Sequence, residues 1–171
     1  FSNTGEASIT GNVVNNGTLI NSASVSGIVT NAGTLENTGT IAGNVTNSGT
    51  LDNTGTIGGN VTNSSDATLN SKLAAIEGSL TNNGTFNMAD ASITLDKTIG
   101  GAGTTHISGA VTLGEDGDFA ATQSLHVNEK ATLDIATGTI TLDNFTLKGQ
   151  LNLAITDISA NSSEYEGGKI F

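Results

Sequence analysis

Residues 31–46 read NAGTLENTGTIAGNVT and residues 47–62 read NSGTLDNTGTIGGNVT. Residues 15–30, NNGTLINSASVSGIVT, are a third copy, so the chain repeats with a period of 16. Leu19, Leu35 and Leu51 fall in one column. Ile9, Val25, Ile41 and Ile57 form a second, and Val13, Val29, Val45 and Val61 a third, with Gly11, Gly27, Gly43 and Gly59 between those two. Asn15, Asn31, Asn47 and Asn63 align, as do Asn21, Asn37 and Asn53. A fixed period of this length is the mark of a solenoid or array.

Outward from these copies the register slips by three residues and then recovers. NSSDATLN at 63–70 and the segment Lys72–Ile76 carry the extra residues, after which Ile76, Gly78, Leu80 and Asn82 return to their columns. An insertion that leaves its flanking columns intact reads as a loop on one coil. Ser71 to Gly78 is the best helical stretch, read as a decorated turn. From about residue 88 the strict period is lost while alternating segments continue: Ser92–Leu95, Thr105–Ser108, Ala110–Leu113, Ser124–Val127, Thr132–Ile135, Thr139–Leu142, Phe145–Leu147 and Gln150–Ile155.

Inside one copy the local period is two. Ile41, Gly43 and Val45 share one side, and Thr40, Ala42, Asn44 and Thr46 the other. Thr34-Leu35-Glu36 is a second short alternating segment, and Asn-Thr-Gly and Asn-Ser-Gly between them are turn formers. Two short strands cannot bury their apolar side chains alone, but stacked copies can, with like residues about 4.8 Å apart along the axis. The Asn columns then stack at corners, where their amides can hydrogen-bond along the axis. The complete lack of proline suits strands whose every N–H is needed. The fold class is therefore all-β, a parallel β-helix (β-solenoid) of ~16-residue coils first and longer irregular coils after. Residues 1–171 form a single solenoid, with 1–87 regular and 88–171 less regular and more acidic. About nine or ten coils, some 45 Å of axis, are expected.

Composition narrows the function. Sixteen Asp and Glu face five Lys and no Arg, a net charge of −11. That argues against nucleic acid, which needs clustered Lys or Arg, and against anionic membrane surfaces. No run of 18 apolar residues is present, so no direct membrane insertion by a helix is expected. With 27 Thr and 20 Asn but only 12% charged residues, the surface is polar without being highly charged. There is no cysteine to staple the chain. Phe1 opens it without an initiator Met or a signal-peptide pattern, so it is treated as a processed or excised piece.

The GTL-x-NTGTI-x-GNVTN repeat at 9–63, its restatement at 80–87, Thr98–Thr104 and Ile107-Ser108-Gly109 resemble passenger segments of bacterial autotransporters and filamentous-haemagglutinin-like adhesins. The resemblance covers nearly the whole chain and is structural in kind. It implies a right-handed parallel β-helix, an extracellular or bacterial cell-surface location, and attachment or cell–cell aggregation as the activity. Neither an outer-membrane barrel nor a secretion domain accompanies it here, so it implies a stretch of passenger.

The chemistry-bearing residues are few. His106 and His126 lie 20 apart and alternate with apolar neighbours; they are read as outward-facing surface residues, a metal pair only if neighbouring coils stack them. Gly114–Asp118 is the densest acidic loop, and Asp116 and Asp118 offer oxygen atoms, but without an EF-hand or GGxGxD pattern the loop reads as a solvated turn. Gly100–Gly103 lacks the lysine of a phosphate loop. Glu36 and Asp52 stack one coil apart, with no aromatic or basic platform around them. No nucleophile motif is present. No enzyme, cofactor or metal is expected.

The leading functional expectation is a non-catalytic surface or secreted module acting by adhesion or self-association, or as a structural stalk. Its partner would be itself or a host-cell or matrix surface. Asn44, Thr46, Asn60 and Thr62 are the candidate self-association face, offering many weak hydrogen bonds. The alternative is an ice-binding solenoid using the T-x-T ladder Thr38/Thr40 and Thr54/Thr56, with Ser22/Ser24 as a third rung. Polysaccharide binding is disfavoured, because Tyr165 and five Phe are the only aromatic residues, and Phe86 and Phe145 are expected inside.

Overall fold

One coil shows how the chain turns. It runs out along Thr34–Asn37, bends, continues as Thr40–Ile41, bends again and returns as Val45–Asn47 before the next coil starts at Thr50. In this computed structural model, which describes residues 1–135 and 140–153, each such strand pairs in parallel with its counterpart one coil away. Thr34, Leu35, Glu36 and Asn37 sit opposite Thr50, Leu51, Asp52 and Asn53, Ile41 opposite Ile57 and Val45 opposite Val61. The fold is an all-β parallel β-solenoid of about eight coils, one or two fewer than the sequence suggested, because the later coils are longer.

Each regular coil has three strands where the repeat suggested two. The segment 40–46 breaks around Gly43 into Thr40–Ile41 and Val45–Asn47. The reason is steric. A Cβ on Gly43 would lie 2.3 Å from the carbonyl oxygen of Gly27 in the adjoining coil, and one on Gly49 would lie 2.1 Å from that of Gly33. Corners where backbones approach this closely accept only glycine.

Four sheets result. A nine-stranded face runs the length of the described solenoid, from Ser2–Asn3 to Asn144–Leu147. A seven-stranded face runs from Val13–Asn15 to Asp118–Phe119. The remaining side changes character along the axis. In the first coils it holds the two-residue strands Ser8–Ile9, Ser24–Val25, Thr40–Ile41 and Thr56–Ile57. In the later coils it holds the four-residue strands Ser92–Leu95, Ala110–Leu113, Thr132–Ile135 and Gln150–Leu153. Between the two sets lies the inserted segment, a single 3-10 turn at Leu73–Ala75. Ile76 beyond it bridges to Ile57. The buried Asp90 carboxylate accepts the Leu73 N–H at 2.7 Å, and the Lys97 ammonium donates to the carbonyls of Ile76 and Gly78 at 2.6 and 3.2 Å. Longer strands on this side lengthen the coil. Thr18 pairs with Thr34 sixteen residues on, whereas Thr104 pairs with Ser124 twenty on.

The inward columns stack as the repeat implied. Leu19, Leu35, Leu51, Leu69 and Phe86 continue one another on the nine-stranded face, and all are buried. Buried asparagines flank them. Asn15 donates from Nδ2 to Asn31 Oδ1, Asn31 to Asn47, Asn47 to Asn63 and Asn63 to Asn82, at 2.7–2.9 Å. The same amides reach the turn carbonyls, as from Asn31 to Gly33 at 3.1 Å and to Thr50 at 2.9 Å. A second ladder joins Asn3, Asn21, Asn37 and Asn53, and Asn53 passes to Ser71 Oγ. Among the described residues no buried side-chain nitrogen or oxygen lacks a partner.

Phe86 is buried as expected, but Phe145 is 42% exposed. It belongs to the last described coil of its face, where no further described strand covers it. Of the strand expected at Thr139–Leu142, Thr139 lies outside the described residues, and Ile140–Leu142 are not strand. The last expected strand is found as Gln150–Leu153; its remainder and Tyr165 lie outside the described residues.

Candidate functional site

A strand buried on one side presents every second residue outward, and parallel in-register pairing turns those residues into columns. On the seven-stranded face the outward column is Val14, Thr30, Thr46, Thr62 and Thr81, all exposed. Thr46 and Thr62 of the candidate face are thus neighbours in a longer ladder. Asn44 and Asn60 lie beside them, also exposed, on the corner before the strand. The four residues do come together.

The two asparagines have a structural task there. Asn44 Oδ1 accepts the Asn60 backbone N–H at 2.8 Å, and Asn60 Oδ1 accepts the N–H and hydroxyl of Ser79 at 2.9 and 3.0 Å. Asn12 does the same for Ile28 at 2.9 Å. These side chains tie one corner to the next, so their oxygens are already engaged. The threonine hydroxyls beside them are exposed.

The nine-stranded face carries a longer ladder outside the candidate residues. Thr18, Thr34, Thr50, Thr68, Thr85 and Thr104 stack in register and are followed by Ser124 and Asn144. The signal was present as the Gly-Thr pair opening each copy at 17–18, 33–34, 49–50, 84–85 and 103–104. The partner column on this face is Ile20, Glu36, Asp52, Asn70, Asn87, His106, His126 and Thr146. Asn87 Nδ2 donates to Asn70 Oδ1 at 2.7 Å, and Asn70 Nδ2 to Asp52 Oδ1 at 2.5 Å. Glu36 and Asp52 do stack, and so do His106 and His126, whose ring centroids are 4.8 Å apart. Burial, then the charge of His126, push the His106 imidazole below its ordinary range, partly offset by a hydrogen bond to the Asn128 side chain.

The T-x-T residues are arranged differently from a flat ladder. Thr40 and Thr56 open strands, whereas Thr38 and Thr54 sit on the bend before them, so each pair straddles a corner at Gly39 or Gly55.

The remaining candidates are turns. Asp118 Oδ1 accepts its neighbour's N–H, from Phe119, at 2.7 Å, while Glu115 and Asp116 point to solvent. In the glycine cluster, Gly101 has φ of +94° and Ala102 N donates to Asn83 Oδ1 at 3.1 Å. Among the described residues no three His, Cys, Asp or Glu side chains gather as metal ligands do. An apolar hollow at the far end is lined by Leu133, Ile135, Ile140, Leu142, Phe145 and Leu151, with no titratable group among them.

Compared with family models, with curated proteins and with solved structures, the chain matches none.

Proposed function

We propose that this chain is a non-catalytic, surface-displayed or secreted solenoid module that self-associates through its seven-stranded face, within an adhesin or stalk of the autotransporter-passenger kind. The observation that supports this reading is the exposed column Val14, Thr30, Thr46, Thr62 and Thr81. From Thr30 to Thr81 it places one hydroxyl per coil at strand spacing on a face held in shape by two buried asparagine ladders. Each hydrogen bond at such a face contributes only about 1 kcal/mol, so recognition comes from repetition and rigidity. Two copies meeting face to face about a two-fold axis would set many equal contacts against one another.

The test replaces Thr30, Thr46, Thr62 and Thr81 together with Lys, leaving the Asn44 and Asn60 caps intact. Sedimentation of the wild-type chain over a hundred-fold concentration range should show association, and the variant should sediment as a monomer with an unchanged β spectrum. A wild-type chain that stays monomeric, and causes no clumping when displayed on cells, overturns self-association and leaves a stalk.

A second reading, ice binding, is favoured by a different observation: the six in-register threonines from Thr18 to Thr104 on the nine-stranded face. Thermal hysteresis with shaped ice crystals, lost on replacing Thr50 and Thr68 with Tyr, would support it. Its absence at high protein concentration dismisses it.

A further inference from the structure

We propose that His106 and His126 form a two-histidine site for a divalent transition-metal ion of the zinc class on the outer surface of the nine-stranded face. The inference stands apart from the self-association reading, which concerns the other long face.

The two residues are paired one to one on adjacent parallel strands, Thr104–Ile107 and Ser124–Val127. Their ring centroids are 4.8 Å apart and the rings are tilted by 54°, so they are not stacked face to face. A zinc–nitrogen bond of about 2.0–2.1 Å and a tetrahedral angle at the metal place the centroids of two ligating imidazoles about 5 Å apart. The backbone pairing therefore holds the rings at a chelating separation before any ion arrives.

Beside the pair, Asn128 Nδ2 donates to Ser108 Oγ at 3.0 Å. Asn87 and Thr146, the next residues along the column on either side, are uncharged, so neither repels a cation. The chain's net charge of −11 favours cations near its surface. Two protein ligands make an open site, with water completing the coordination. Imidazole suits zinc, nickel and copper and does not suit calcium or magnesium.

The experiment uses the full chain, carrying no polyhistidine tag and stripped with a chelator. Zinc chloride alone is titrated at pH 7.4 by calorimetry and by nuclear magnetic resonance of the imidazole rings. One equivalent of zinc should shift the resonances of both histidines together, and calcium should shift neither. H106N and H126N should each weaken binding at least ten-fold. Lowering the pH to 5.5 should weaken it further, because protons compete for the same nitrogens. Melting in the presence of chelator identifies a variant that loses binding through loss of fold, and H126N stands in if H106N fails that check. Rings that respond to pH but ignore zinc, or a folded double variant that binds zinc as tightly as wild type, would overturn the site.

Discussion

The first coils and the later ones solve the same packing problem by different means. In the first, two continuous asparagine ladders line the corners, and from Asn15 to Asn63 the coils repeat every sixteen residues. In the later coils the ladder that began at Asn15 ends at Asn82, and Gln123 takes its place. Gln123 is fully buried and reaches across two coils, donating to the carbonyls of Asn82 at 2.7 Å and Gly100 at 2.9 Å, while its oxygen accepts from Thr105 Oγ1 at 3.1 Å. Sixteen-residue coils turn three corners in little chain, so corner polarity has to be met by short side chains in strict register. Coils with a four-residue third strand have more pleated surface for apolar side chains such as Leu95, Val111, Leu113 and Leu133, all buried. Strict sequence repetition thus goes with the in-register corner asparagines, and it relaxes where the coils lengthen.

The largest expected effect tests the inside and outside of the regular half. Val45 is 1% exposed, and a carboxylate there costs several kcal/mol or forces protonation, so Val45→Asp should lower the urea midpoint severely. Asn44→Asp keeps an oxygen for the Asn60 N–H and should melt close to wild type. Equal midpoints for the two variants would break the assignment of faces.

Next in size is the contrast between the two polar systems. Asn47→Ala removes donors to Asn63, Gly49 and Thr68 and the acceptor used by Asn31, in a buried setting. A loss of about 2–4 kcal/mol is expected. Thr105→Val in the later coils removes one hydroxyl bond and should cost about 1 kcal/mol. Similar costs by chemical denaturation would mean that the ladder contributes no more than an ordinary pair.

Much of this was legible beforehand, and the limits have physical causes. The columns of Leu35, Ile41, Val45 and Asn47 could be read because identical residues recur at identical spacing. The corner at Gly43 could not, because Ile41, Gly43 and Val45 keep the same inward parity whether the strand runs straight or bends. The stacking of His106 on His126 was legible only conditionally, since once coil length varies no period fixes which later residue lies beside which. Gln123 and Asp90 left no signal, as each is a single polar residue whose partners lie on other coils. Of the four candidate-face residues, Thr46 and Thr62 stand in an exposed ladder, while the oxygens of Asn44 and Asn60 accept backbone N–H groups.

Corner tightness offers a smaller test. Gly43→Ala drives a Cβ to 2.3 Å from the Gly27 oxygen, and the neighbouring coil must shift, at about 1–3 kcal/mol. Gly100→Ala, within the strand Thr98–Gly100, meets its nearest atom at 3.6 Å, an ordinary contact, and should be close to neutral. Equal sensitivity would mean that close backbone approach is not what holds glycine at the Gly43 corner.

The smallest expected effect concerns pH and separates the halves most cleanly, because both histidines of the chain lie in the later coils. The unfolded chain binds a proton at His106 near pH 6.5. The folded chain binds it less readily, through burial first and the charge of His126 second. Below about pH 6.5 the unfolded state therefore holds more protons, and stability must fall as the pH drops toward the folded value, then level off. Above about pH 7 both states are neutral at this residue, and its contribution is constant. Between pH 7.5 and 6, where the carboxylates stay ionised, the melting temperature should decline slightly. The decline should be shallower in H126N, which removes only the second cause, and nearly absent in H106N. Hydrogen exchange over the same interval should show Thr104–Ile107 and Ser124–Val127 opening more readily while Thr34–Asn37 is unchanged. A uniform response along the axis would place its source in the general charge of the chain and not in the stacked pair.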